Sequence, residues 1–317
     1  MPRKAPAPEP PAHDLLAKMK ALEARALERS RQRREQGLLP LSEPASPPPA
    51  QVVKLPLWPE TVRAVPNGVL RSALFGAIRR GPRRYLDRER MAALEGIEVF
   101  YTGQRLDQGD LDVWEVVLHA VRFQGLGDKC RVTAYQLLKA LGKTDSGKNR
   151  DILDQRLSRL NATAVRVKQG RYSYEGSLID EAYQDEETRA YMLNLNPKLR
   201  SLYEPDQFTQ IDWVVRRELD GQPLAQWLHG FYASHAEPYP ISIAKLHELS
   251  GSEAGELWKF AQTLRKNLDS LAKASVLHNQ PFSYFIQNDV VHTSKMPSRS
   301  QQHHLNRKHL KSKIKRI

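Results

Sequence analysis

The chain has 317 residues, 49 of them Lys or Arg and 36 Asp or Glu, for a formal net charge of +13. Its mean hydropathy is −0.59; the single cysteine, Cys130, excludes an intrachain disulfide and a cysteine-built zinc cage, and no apolar run approaches the roughly 20 residues that span a bilayer. The opening Met1-Pro2-Arg3-Lys4-Ala5-Pro6 has no apolar segment behind its charges, so we expect no secretory signal and a cytoplasmic protein whose partner is a polyanion.

Residues 1–50 hold ten of the 21 prolines, in patches at Pro2–Pro11 and Pro40–Pro49. Between them Leu15, Met19, Leu22 and Ala26 recur at helical spacing. This predicts one helix in an otherwise disordered segment, with too few apolar heptads for a strong zipper.

A first folded module is expected over 51–205. Gln51-Val-Val-Lys54-Leu55-Pro56-Leu57-Trp58-Pro59 is extended and apolar, and its prolines forbid a regular helix. Two readings stand: an arm packing on the module, or a linear motif for a partner's groove. A helix is predicted over 67–79, followed by the loop Arg79-Arg80-Gly81-Pro82-Arg83-Arg84, which is either a phosphate clamp or an exposed loop. Ile97–Thr102 alternates as a strand, and Leu111, Trp114, Leu118 and Val121 mark the buried face of a helix.

Thr133–Leu141 reads as a short helix capped by Thr133, and Asn149–Asn161 as a second with Ser146 as its N-cap. Ala164–Val167, the turn Gln169-Gly170, and Tyr172 and Tyr174 predict a hairpin. Helix, turn, helix, hairpin is the order of a winged-helix unit, whose second helix enters the major groove. Tyr191–Leu195 adds a strand, closed by Asn196-Pro197.

The order recurs over 206–298, a second expected module. An apolar stretch, Phe208–Leu219, leads to an amphipathic helix over Pro223–Tyr232. Ile243–Leu249, a turn at Ser250-Gly251-Ser252 and a long helix over Glu253–Lys273 follow, then a hairpin around Asn288-Asp289. Residues 299–317 contain seven basic and no acidic residues and are expected to form a disordered basic tail making nonspecific phosphate contacts. The expected fold class is α+β, mostly helical, with two tandem winged-helix domains between disordered N- and C-terminal segments.

Charge is unevenly spread: residues 51–176 carry 22 basic and 14 acidic side chains, whereas 177–298 carry 11 and 16. In the first module Lys148, Asn149, Arg150, Asp151, Gln155, Ser158 and Arg159 lie opposite the apolar stripe of the second helix. Arg and Lys suit guanine or phosphate there, and Asn and Gln suit adenine edges. Lys168 and Arg171 bracket the hairpin turn and would reach the DNA backbone or minor groove. In the second module Lys259, Thr263, Lys266, Ser270 and Lys273 share one helix face, with Gln262 and Arg265 beside them, a basic face inside an acidic module.

Gly142-Lys-Thr-Asp-Ser-Gly147-Lys148-Asn149 nearly spells a phosphate-binding loop, but Asn149 stands where the magnesium-holding Ser or Thr belongs and a helix, not a strand, precedes it. His303-His304 has no second ligand cluster, and no His-apolar-His motif of a tyrosine nickase is found. We therefore expect no catalytic set, cofactor or metal.

Lys54-Leu-Pro-Leu-Trp-Pro-Glu60, Val65-Pro-Asn-Gly68, Arg131-Val-Thr-Ala-Tyr-Gln-Leu-Leu138 and Tyr191-Met-Leu-Asn-Leu-Asn-Pro-Lys-Leu199 together resemble the TrfA family, replication initiators of broad-host-range IncP-type plasmids. The likeness runs from about residue 51 to 295. It implies tandem winged helices binding repeated double-stranded origin sites (iterons) as a monomer, with a non-initiating homodimer. It also implies opening of an AT-rich element and recruitment of host proteins: initiator, helicase and sliding clamp. The family's clamp motif is Gln-Leu-x-Leu-Phe-like; Leu55, Leu57 and Trp58 are its nearest match here, without the leading Gln and with Trp for Phe. A dimeric, autoregulatory winged-helix repressor is the alternative that the modules themselves allow.

Overall fold

The computed structural model describes residues 53–79, 81–185, 187–188 and 190–314, together with positions 20–22, 24–25, 28–29 and 32. The chain divides into two units, Met1–Gln51 and Val52–Ile317. In the first, the described positions are helical, where the apolar spacing predicts a helix; the two proline patches lie outside the described residues.

The second unit begins with strand β1 (Val62–Pro66) and a single turn, α1 (Asn67–Leu70), followed by β2 (Phe75–Gly76), β3 (Tyr85–Met91), β4 (Ile97–Gln104) and β5 (Leu106–Asp107). The helix expected over 67–79 is therefore one turn long. Its apolar residues Leu74, Phe75 and Ile78 are buried all the same, because a strand and a loop thread them into the core. Helix α2 (Gln108–Val121) starts at a reciprocal capping box: Asp110 N donates to Asp107 Oδ1 and Asp107 N to Asp110 Oδ2, each at 2.9 Å.

Strand β6 (Cys130–Thr133) leads into α3 (Ala134–Ala140) and α4 (Gly147–Asn161), with Thr133 and Ser146 as N-caps, as their positions before the apolar periods predict. Strands β7 (Ala164–Gln169) and β8 (Tyr172–Gly176) form the expected hairpin, with Gly170 at φ 59° supplying the left-handed turn position. Strands β9 (Glu181–Gln184) and β10 (Ala190–Asn194) form a second hairpin, and a 3-10 turn (Pro197–Tyr203) leads to β11 (Phe208–Asp212).

Helices α5 (Trp213–Glu218) and α6 (Pro223–Ala233), strand β12 (Ile241–Ser242), and helices α7 (Ile243–Ser250) and α8 (Leu257–Leu277) come next. Helix α8 begins four residues later and ends four later than the sequence predicts. Strands β13 (Phe282–Gln287) and β14 (Val290–Lys295) close around Asn288 and Asp289, both left-handed (φ 50° and 58°), the backbone a two-residue hairpin turn requires. Residues 299–314 are not the expected disordered tail but a helix, α9 (Arg299–Ile314).

Fourteen strands among the described residues make this a mixed α and β protein. Their pairing corrects one expectation. Hairpin β7–β8 does not join the strand preceding the helix pair; β7 pairs with β4 in a four-stranded sheet ordered β3-β4-β7-β8. It is hairpin β9–β10 that returns to that strand, in the sheet β6-β10-β9. The later part of the chain repeats this arrangement as β12-β14-β13 around α7 and α8. In both places a strand, two helices and a hairpin follow in order, and the strand pairs with the hairpin's second strand.

The core has two apolar clusters, one running from Leu55 to Trp213 and the other from Val215 to Val291. The change falls inside α5, past the boundary expected at residue 205, because β11 pairs antiparallel with β1 and so belongs to the first cluster. Polar contacts join the clusters. The buried Arg216 places Nε 2.6 Å from Asp112 Oδ1 and donates through Nη2 to Gln108 O, and Trp227 Nε1 donates to Ser72 O at 3.2 Å.

Candidate nucleic-acid interface

Helix α8 buries Phe260, Leu264, Leu268 and Leu271, and this stripe turns the opposite side to solvent. Lys259, Gln262, Thr263, Arg265, Lys266 and Lys273 are all exposed there. Among the described residues none of the four cations has a carboxylate within ion-pair distance. Thr263 Oγ1 donates back to Lys259 O at 3.0 Å and Ser270 Oγ to Lys266 O at 3.1 Å, so these hydroxyls are bonded along the helix.

Two aromatic groups nearby escape the sequence reading. Trp258 is 58% exposed in the first turn of α8, with Lys259 Nζ 5.3 Å from its ring. Placing the helix start at residue 253 buries this residue in the second turn of a longer helix, so its position at the exposed tip emerges only with the true boundary. Phe285 is exposed on β13 and stacks on His292 of β14, ring centroids 4.4 Å apart. Alternation along β13 could have flagged it.

Helix α4 is different. Lys148, Gln155 and Ser158 are exposed on its outer face, beside Asp151. Asn149 is half-buried and braces the preceding loop, with Nδ2 donating to Thr144 O at 2.8 Å and to Thr144 Oγ1 at 3.1 Å. Arg150 grips Asp145 with two bonds, at 2.6 and 2.7 Å, and holds that carboxyl below its ordinary range. Arg159, expected to meet DNA, points inward. Its Nη1 lies 2.6 Å from Asp110 Oδ1, and its side chain is only 13% exposed.

Arg156, also on α4, reaches the same place, with Nη1 3.0 Å from Asp107 Oδ1 and 3.5 Å from Asp110 Oδ1. Burial alone would raise Asp107, but Arg156 and Arg83 outweigh it and hold the carboxyl below its usual range. Gly109 makes room for this cluster, since a Cβ there would stand 2.1 Å from Arg156 Nη1. The arginines lock α4 onto the start of α2.

The expected phosphate clamp does not assemble. Arg83 is buried against Asp107, Arg84 pairs with Glu89 at the surface, and Arg79 is exposed while its carbonyl accepts from Arg83 Nη1 at 3.2 Å; Arg80 lies outside the described residues. Lys168 sits 3.5 Å from Glu98 across the β4–β7 pair, and Arg171 lies over the Tyr172 ring and donates to its hydroxyl at 2.7 Å. Both are on the hairpin that extends the β4 sheet. The turn of β9–β10 instead shows Asp185, Glu187 and Thr188 among its described residues, with Asp185 Oδ1 accepting from the latter two amides.

The segment matched to the clamp motif is an arm packed on the first cluster. Leu55 and Trp58 are each 4% exposed, and Trp58 Nε1 donates to His119 Nδ1 at 2.9 Å while its ring stacks on Tyr203. Leu57, between them, is 67% exposed. Leu55 and Trp58, three residues apart, both face the core, which removes them from any partner's groove.

No group of three or more His, Cys, Asp or Glu side chains suited to a metal occurs among the described residues, and no helix among them is long and apolar enough to cross a membrane.

The fold and the exposed helix face define a mixed α and β protein with two strand–helix–helix–hairpin units, one of which presents unpaired cations along its long helix. The chain belongs to the TrfA family, whose model matches residues 50–295. It is similar to the plasmid replication initiator protein TrfA of Escherichia coli, 26% identical over 243 residues that make up 74% of this chain and 62% of that protein. RepFIB replication protein A of Escherichia coli and of Salmonella typhi are each 27% identical over 203 residues, 61% of this chain and 62% of theirs. The chain thus spans about 62% of the length of these curated relatives. A crystal structure of RctB domains 2–3 superposes with a TM-score of 0.46 at 12% identity, covering 71% of this chain and 96% of that one.

Proposed function

We propose that this protein initiates plasmid replication by binding repeated double-stranded sites at a plasmid origin through two winged-helix units, then opening adjacent AT-rich DNA and recruiting host replication proteins. The observation that carries this reading is the outer face of α8. Four cations without carboxylate partners among the described residues stand on a long helix of a unit whose sequence is otherwise acidic. An α-helix fits the major groove, where Lys and Arg reach guanine or phosphate and Gln reaches adenine. Trp258 at the helix tip offers an apolar contact to a thymine methyl. Helix α4 contributes Lys148, Gln155 and Ser158, a weaker face, so α8 is the principal reader and α4 the auxiliary one. Family membership, one relative described as a plasmid replication initiator and others described as replication proteins support the same reading.

Binding several adjacent repeats would bend the duplex, and the deformation would favour unstacking in AT-rich DNA nearby. A DNase footprint on the source plasmid's own origin tests the first step. Protection of direct repeats is expected, whereas a single palindromic footprint would identify a dimeric repressor. Permanganate reactivity on supercoiled origin DNA tests the second, and an absence of unpaired thymines with protein bound would refute opening.

A further inference from the structure

Arg71 and Lys295 are two half-buried cations that no carboxylate among the described residues neutralises. Arg71 Nε donates to Ser234 Oγ at 2.9 Å, and its Nη2 bonds to Ser234 O. Lys295 Nζ donates to Gln301 Oε1 at 2.9 Å, and Gln301 Nε2 donates in turn to Ala233 O at 2.7 Å, tying α9 to the end of α6. All of these partners are neutral. Both cations line one cavity of about 1040 Å³ bounded by α6, the β1–β11 ribbon and the first turns of α9.

Two buried imidazoles line the same cavity. His235 Nδ1 donates to Phe231 O at 2.7 Å, and His229 Nδ1 has no partner among the described residues. The electrostatics agree with the geometry. Burial lowers Lys295 to about 8, with no carboxylate opposing it. Burial, with Arg71 and Lys295 beside it, lowers His235 to about 4, and burial, with Arg216 and Lys295, lowers His229 to about 3. The carboxylates on the cavity wall serve elsewhere. Asp206 pairs with His304 and Arg307, Asp212 caps α5 and accepts from Gln280, and Glu237 is exposed.

Holding cations out of water without a counter-charge is costly, and an anion with several acceptor oxygens relieves that cost. We propose that this cavity is a binding site for a small phosphate-bearing anion, held by Arg71 and Lys295 with an N–H of His229 as a further donor. The cavity is far roomier than a bare phosphate requires, and Phe208, Leu271 and Phe282 supply apolar walls. A phosphomonoester with a ring-bearing group therefore fits the chemistry as well as phosphate itself. The bound anion would bridge α9 to the end of α6 and stiffen the junction of the two clusters.

Thermal unfolding of the full chain tests this site, with sodium phosphate, ribose 5-phosphate and adenosine 5′-monophosphate compared against NaCl at matched ionic strength. At saturating concentration the phosphate compounds are expected to raise the midpoint by about 3 °C. Equal shifts assign recognition to the phosphate group alone; a larger shift with the nucleotide assigns it to a nucleoside monophosphate. The shift should vanish in Lys295→Met and in Arg71→Met and persist in Lys266→Ala, which removes a cation from the α8 face. Calorimetric titration of the wild-type chain already bound to a short origin duplex provides a check that needs no variant. Retained phosphate binding supports a separate site, while competition by the duplex would assign the phosphate to the DNA surface and overturn the proposal. So would a shift no larger than that of NaCl, or one undiminished in Lys295→Met.

Discussion

Arg159 Nη1 stands 2.6 Å from Asp110 Oδ1, a carboxylate with no solvent exposure, so an arginine on the flank of α4 serves the protein's interior. Removing Arg159 leaves the buried Asp110 only the more distant Arg156, whose Nη1 is 3.5 Å away, and breaking a buried pair is costly. Arg159→Ala should cost about 3 kcal/mol of stability, while the ratio of origin to scrambled-DNA affinity stays the same under conditions where the variant is folded. Urea midpoints and fluorescence anisotropy measure the two effects. A changed sequence preference at unchanged stability would return Arg159 to the DNA surface.

The α8 cations behave in the opposite way. Lys259, Lys266 and Lys273 are exposed and have no carboxylate partner among the described residues, so single alanine substitutions should leave stability within about 0.5 kcal/mol. Each that meets a phosphate should flatten the slope of log affinity against log salt by about 1. Arg265→Ala should instead relax preference at one base position, costing about 1–3 kcal/mol, if its guanidinium reads a guanine edge. Affinities for single-base variants of one repeat, measured at several salt concentrations, separate these roles.

For the arm, burial predicts a sharp contrast between neighbours. Trp58→Ala opens a cavity beside Tyr203 and leaves His119 without its indole donor, a loss of about 3–5 kcal/mol. Leu57→Ala, at an exposed position one residue away, should cost less than about 1 kcal/mol. Equal effects in chemical denaturation would mean that the arm is not docked in solution.

A histidine held neutral in the fold binds fewer protons than the unfolded chain, so stability falls as pH drops through the window between its two pKa values. For His229, burial sets the folded value at about 3 against an ordinary value of 6.5. Its contribution should therefore be present above pH 6.5 and fade by about 2 kcal/mol on reaching about pH 5. Glu115, fully buried and raised to about 8, acts with the opposite sign over much of the same range, so the wild-type curve mixes the two. The difference between wild type and His229→Gln isolates the imidazole. It should shrink toward acid, and a pH-independent difference would show that His229 is not held neutral.

Local chemistry alone made much of this chain readable. Apolar residues at helical spacing mark α2, α3, α4, α6 and α8, Thr133 and Ser146 mark two helix starts, and the turn residues at 169–170 and 288–289 mark two hairpins, because each signal is complete within one element. What lay beyond reach was every feature that depends on a distant partner. Periodicity reports that a strand has a buried face but not which strand lies beside it, so only pairing with β4 or β6 separates hairpin β7–β8 from β9–β10. Charge on a helix flank looks alike whether it faces water or a buried carboxylate. Asp107 and Asp110, some fifty residues before Arg156 and Arg159 and drawn close by the packing of α2 on α4, decided that the arginines turn inward, whereas α8 meets no such acid among the described residues and leaves its cations facing solvent.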